Sequence, residues 1–220
     1  AAVLSADMDN TDKVVTLIDE CHHLRLQVLP PNINTCDWAF TVSDAATIVY
    51  GLGAIKGVGE GAIESVLAAR RQAPFADLFD FCRRIDARKV NRRVLEALIR
   101  GGAMDTLKKN RAALMASLDS ALHAAEQYSR DSLSGQNDLF GGFDINESLA
   151  APRYIEAPEW SEAERLAGEK ETLGLYLTGH PIDRYTNELQ RFITCRIVDL
   201  KAERDGAREQ AVVIAGLVVG

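Results

Sequence analysis

The sequence contains no apolar run approaching the roughly 20 residues that cross a bilayer. Its opening, AAVLSADMDN, lacks the basic-then-apolar pattern of a secretory signal. Both absences predict a cytoplasmic protein. Cysteine is sparse: Cys21, Cys36, Cys82 and Cys195 stand far apart with no CxxC pairing, which predicts reduced, mostly buried thiols rather than a disulfide framework. Cys21-His22-His23 with Cys36 matches no zinc spacing, and Cys21 falls on the apolar face of a helix, so a structural thiol is the better reading. His180 has no Cys, Ser or carboxylate at catalytic spacing, which favours a structural histidine. An excess of positive charge is missing too. The net charge of −7 argues against a protein that coats nucleic acid over its whole surface.

What is present is a glycine-rich turn, GLGAIKGVGEGAIESVLAARR, at 51–71. It reads as two short helices joined by a hairpin at Gly57-Val58-Gly59. The second helix carries an apolar stripe of Ala62, Ile63, Val66 and Leu67. Glycines at 57 and 59 permit positive φ and remove Cβ atoms that would hold a ligand away. Gly61 lies in the first turn beyond, where a helix offers unpaired N–H groups and the positive end of its dipole to an anion. Lys56 adds a point charge beside them. Lys56, Gly57, Val58, Gly59 and Gly61 are therefore candidate contacts to a nucleic-acid backbone, gripped through main-chain amides with little base specificity. Two other readings fit the same residues. One is a plain tight turn between core helices. The other is a dinucleotide site, because Gly57 to Ala62 matches G-x-G-x-x-A, although that motif needs flanking strands.

The pattern then repeats. Asp77 to Arg84 forms a short helix, and Asn91 caps a second through Arg100, with Val94, Leu95, Leu98 and Ile99 inward and Gly101-Gly102 as its stop. Arg92 and Arg93 fall in its first turn, beside the positive dipole end, where a cation is disfavoured by roughly 0.3–1 kcal/mol unless a phosphate lies near. From Arg83 to Arg111 ten basic residues face three acidic ones, whereas from Ser134 to Glu171 nine acidic residues face three basic. That segregation predicts a DNA-facing middle and a partner-facing remainder.

Elsewhere the periodicity predicts a helix from Asp12 to Leu24, a hairpin of Trp38–Val42 with Thr47–Tyr50, and a helix from Asn110 to Tyr128. An acidic helix begins at Ser161 and ends at Gly174, another begins at Pro181, and strands cover 193–200 and 210–219. The fold expected is mainly α with a small β portion. Between the helices, SRDSLSGQNDLFGG at 129–142 sets Leu139 and Phe140 among Ser and Gly. An apolar pair in a flexible setting fits a linear docking peptide, or else a staple back onto its own domain.

Four passages together resemble the alpha (polymerizing) subunits of bacterial DNA polymerase III, the C-family replicative polymerases: AAVLSADMDNTDKVV at 1–15, YGLGAIKGVGEGAIE at 50–64, QNDLF at 136–140 and ETLGLYLTGHP at 171–181. The resemblance implies the end of a fingers domain at 1–50 and a tandem helix-hairpin-helix domain on double-stranded DNA at 51–107. A connecting helix at 108–130 and a flexible segment at 131–150 would follow, then linker helices at 151–192 and the start of an OB-fold at 193–220. It also implies that Gln136, Asp138, Leu139 and Phe140 dock on the beta sliding clamp, with Gln136 at a polar pocket, Leu139 and Phe140 in an apolar cleft, and other holoenzyme subunits as partners. The family's catalytic carboxylates and their Mg2+ ions belong to a palm domain before Ala1, so this stretch alone is expected to be inactive and to hold no cofactor. A phosphate- or dinucleotide-binding enzyme using Gly57 to Gly61, or a DNA-repair helix-hairpin-helix protein, are the alternatives.

Overall fold

The computed structural model describes residues 1–133, 153–195, 197 and 211–216, which divide into two units, Ala1–Leu175 and Tyr176–Gly220. The first unit begins with a short helix α1 (Ala2–Ala6) and α2 (Thr11–His23). The Asn10 side chain sets the start of α2 by accepting the Lys13 N–H at 3.1 Å. Val14, Ile18 and Cys21 make its buried face.

Three short strands follow: β1 (Gln27–Leu29), β2 (Thr41–Asp44) and β3 (Thr47–Val49). The hairpin expected from the sequence is the antiparallel β2–β3 pair, tightened by Asp44 Oδ1 accepting the Ala46 N–H at 2.9 Å. Strand β1 pairs parallel with β3 and completes the order β1-β3-β2.

The glycine stretch opens on a single 3-10 turn, Leu52–Ala54, where a longer first helix is expected. Ile55 is already extended, at φ −76° and ψ 119°, so the turn cannot propagate. Helix α3 (Glu60–Arg70) then buries Ala62, Ile63 and Val66. Helix α4 (Leu78–Arg84) starts at Asp77, which accepts the Asp80 N–H, and α5 (Arg92–Arg100) at Asn91, which accepts the Val94 N–H. Gly102, at φ 78°, reverses the chain after α5. Ile55, Ile63, Leu78, Phe81, Leu95 and Leu98 are fully enclosed between these elements. Burying side chains of this size stabilises by about 1.5–3 kcal/mol each.

The helix expected from Asn110 to Tyr128 is two, α6 (Arg111–Ala116) and α7 (Leu118–Leu133). The break falls at Ser117, a wholly buried residue whose Oγ accepts the Ile155 N–H at 2.8 Å. That bond belongs to an extended strap, in which Tyr154 also accepts the Leu78 N–H at 2.9 Å and packs edge-on against Phe79. The acidic helix α8 (Glu162–Leu173) has a full capping box between Ser161 and Glu164 and stops at Gly174, φ 77°.

In the second unit, Pro181 is followed by a 3-10 turn (Asp183–Tyr185) and a short α9 (Thr186–Leu189) rather than one continuous helix. His180 Nδ1 accepts the Ile182 N–H at 3.2 Å and its ring lies against Tyr176, a turn-forming role. Of the two expected strands, the described residues 193–195 and 211–216 form no regular strand. They share only the bonds of Thr194 with Val213, and so short a contact does not build a ladder. No helix among the described residues is long and apolar enough to cross a membrane. Cys21, Cys36 and Cys82 are buried free thiols and Cys195 is half-buried.

Candidate nucleic-acid interface

The glycines of 51–61 divide by what surrounds them. A Cβ on Gly51 would lie 2.7 Å from the Ala39 backbone, and one on Gly53 2.7 Å from the Trp38 ring, so these two allow close packing. At Gly57, Gly59 and Gly61 a Cβ would meet nothing within 4 Å. Only Gly57 needs its residue type for conformation, at φ 85°. The hairpin is anchored by Val58, whose side chain is buried and whose N–H donates to Ile55 O at 3.1 Å. Val58 therefore shapes the turn and presents neither side chain nor amide. Lys56 gives its own N–H to Thr172 O at 2.8 Å and leaves its ammonium exposed with no carboxylate partner among the described residues.

The main-chain N–H groups of Gly57, Gly59, Glu60 and Gly61 donate to no acceptor among the described residues. Helix α3 has no side-chain cap at Gly59, whereas α2, α4, α5, α6 and α8 each have one. Open amides, positive helix end and absent Cβ atoms together form an anion seat on the surface.

The second hairpin, between α4 and α5, has the same plan. Buried Val90 stands where Val58 does, and Asn91 takes the cap position of Gly59. Lys56 and Gly57 from the first hairpin and Asn91, Arg93 and Arg100 from the second line one cleft of 460 Å³, completed by α8. Arg93 is exposed and has no carboxylate partner among the described residues. Arg92 points elsewhere: it pairs with Glu96 at 2.7 Å and with Asp119, and these carboxylates, Glu96 first, hold its pKa above the ordinary arginine value.

A family model described as the helix-hairpin-helix motif matches residues 25–114. The DNA polymerase III subunit alpha of Vibrio cholerae serotype O1 is 52% identical over 220 residues, all of this chain and 19% of that protein. That of Pseudomonas aeruginosa is 50% identical over 236 residues, covering 100% of this chain and 20% of its own, and that of Escherichia coli K12 is 50% identical over 220 residues, 19% of its length. Over its whole length the chain is similar to DNA polymerase III alpha subunits. It spans about a fifth of the length of the curated relatives it matches.

The basic middle is thinner than its charge count suggests. Arg84 is internal, donating to Ala69 O and Asp80 and stacking on Phe75, and Arg111 is buried. Arg83 pairs with Asp80 and Lys109 with Glu156. Arg88, Arg93 and Lys108 are exposed and have no carboxylate partner among the described residues. Arg88 and Arg100 extend the candidate set; the equivalence of Lys56-Gly57-Val58-Gly59 with Arg88-Lys89-Val90-Asn91 is the signal that finds the first. The dinucleotide reading fails on topology, since a 3-10 turn precedes Gly57 and α3 leads into helix α4, not a strand. Gln136, Asp138, Leu139 and Phe140 lie outside the described residues.

Proposed function

We propose that this chain is the part of a replicative polymerase alpha subunit that holds the backbone of duplex DNA and ties the enzyme to its sliding clamp. The observation that carries the first half is the open row of amides at Gly57, Gly59, Glu60 and Gly61 beside Lys56 and Arg93. Such donors suit phosphate oxygens and offer no pattern for reading base edges. A polymerase that travels along any sequence needs a grip of that kind. The second half is supported by the QNDLF peptide and by similarity along the whole chain to alpha subunits. Gln136 and Asp138 would meet polar groups on the clamp, and Leu139 and Phe140 an apolar cleft. By the same similarity, residues 193–220 would begin an OB-fold and the protein would work in the cytoplasm.

The test is duplex binding by the 220-residue chain across a range of salt concentrations and several unrelated sequences. Affinity should fall linearly in log–log form and be indifferent to sequence, and Lys56→Ala or Arg93→Ala should each reduce the slope by about 0.9. Salt-independent binding, or a strong preference for one duplex, contradicts the backbone grip.

A further inference from the structure

Helix α8 lies outside residues 25–114, the span of the helix-hairpin-helix match, yet it forms one wall of the cleft. Three contacts fix it there. Glu169, wholly buried, accepts from Arg111 at 3.1 Å. Gly168 packs on Arg100, where a Cβ would stand 3.4 Å from the Arg100 carbonyl. Thr172 O accepts the Lys56 N–H of the first hairpin at 2.8 Å. The last turn of α8 is thus held against the hairpin itself. It sets the Glu171 carboxylate 3.2 Å from Arg100 Nη1, within the same cleft as Lys56 and Arg93.

We propose that Glu171 tempers the DNA grip by occupying Arg100. The inference rests on the backbone-grip reading above. A carboxylate and a phosphate present the same acceptor chemistry to a guanidinium. A phosphate entering the cleft therefore competes with Glu171 for Arg100. Both side chains are well exposed, Arg100 at 43% and Glu171 at 67%, so the exchange needs no unfolding and the ion pair itself is weak. The other acid lining the cleft, Glu96, is engaged by Arg92 on its own helix. Glu171 is the one that holds a cleft cation. Its effect is to keep affinity low enough for the chain to exchange one phosphate for the next as the duplex moves.

The experiment is a two-by-two comparison of duplex binding by the 220-residue chain, with Glu171→Gln, Arg100→Ala and both together. Glutamine keeps the size and an acceptor but removes the charge, and at an exposed position the melting temperature should not move. Glu171→Gln is expected to tighten binding at low salt on the order of fivefold, the effect of one unit charge a few ångströms from another in water. It should steepen the salt slope by about 0.9, because Arg100 becomes a full phosphate contact. In the Arg100→Ala background most of that gain should vanish. If the chain binds duplex and Lys56→Ala weakens it, yet Glu171→Gln changes nothing, the tempering role is overturned and the grip stands. The same role is overturned if the full gain persists without Arg100. Absence of any duplex binding removes the grip reading and this inference together.

Discussion

The Arg111 guanidinium meets the Glu169 carboxylate at 3.1 Å, with side-chain exposures of only 7% and 1%. The same guanidinium binds both oxygens of Asp105, at 2.8 and 2.7 Å, and the Arg100 carbonyl at 3.1 Å. A buried ion pair adds little over apolar packing, but breaking one by removing a single partner costs about 3–5 kcal/mol. Glu169→Ala should therefore lower the melting temperature by roughly 10 °C, and Arg111→Met with Glu169→Leu should restore most of it. Duplex binding should also weaken in Glu169→Ala, because α8 presents the Thr172 carbonyl that holds Lys56. A melting temperature unmoved by Glu169→Ala contradicts the network.

Alkaline pH should find a second weak point in α4. Burial, followed by the nearby Asp77 charge, pushes the Cys82 thiol up to about 12. In the unfolded chain the thiol ionises near 8.5, roughly the model-peptide value. The folded state thus keeps a proton that the unfolded state loses. Stability is intact below about pH 8.5 and falls by about 1.4 kcal/mol per pH unit as pH rises toward the folded value. Burial raises Tyr50 in the same sense. Urea midpoints measured from about pH 8 to about pH 11 should decline less steeply in Cys82→Ala. Parallel declines in the two proteins would exonerate the thiol.

The features legible in the sequence are those set by neighbours along the chain. Asp77, Asn91, Asn110 and Ser161 cap helices within their own first turns, and Gly174 ends α8 by its own backbone. What was hidden depends on distant partners. Gln27–Leu29 has little strand character until Thr47–Val49 pairs with it. Ser117, where α6 gives way to α7, accepts from Ile155, 38 positions on. Arg84, Arg93 and Arg111 are the same letter, and only the fold makes one a carbonyl clamp, one an open cation and one a buried tie. Glu171 reads as one charge on an acidic helix, with its partner 71 positions away.

The proposed clamp docking is separable from the proposed DNA grip. Replacing Leu139 and Phe140 together by Ala removes both apolar anchors proposed for the QNDLF peptide. A peptide of this size binds near micromolar, about −8 kcal/mol, so losing two anchors should abolish detectable binding in a calorimetric titration against purified sliding clamp. Duplex affinity of the same variant should be unchanged. Unaltered clamp affinity would place the docking elsewhere in the chain.

Gly59 offers a test in which stability and function move in opposite directions. Its backbone, at φ −86° and ψ 158°, suits any residue, and a side chain there would enter open space. Nothing in the fold asks for glycine at this cap, while the other long helices of the first unit with a described cap carry Asn, Asp or Ser. Gly59→Asp would give α3 an acceptor for its open amides and a negative charge at its positive end, worth a few tenths of a kcal/mol to about 1. The same carboxylate would fill the seat proposed for a phosphate and repel the next one. The variant should melt slightly higher and bind duplex on the order of tenfold more weakly, from the loss of amide contacts and the added repulsion. A protein that gains stability and keeps its duplex affinity would show that the phosphate does not sit on α3.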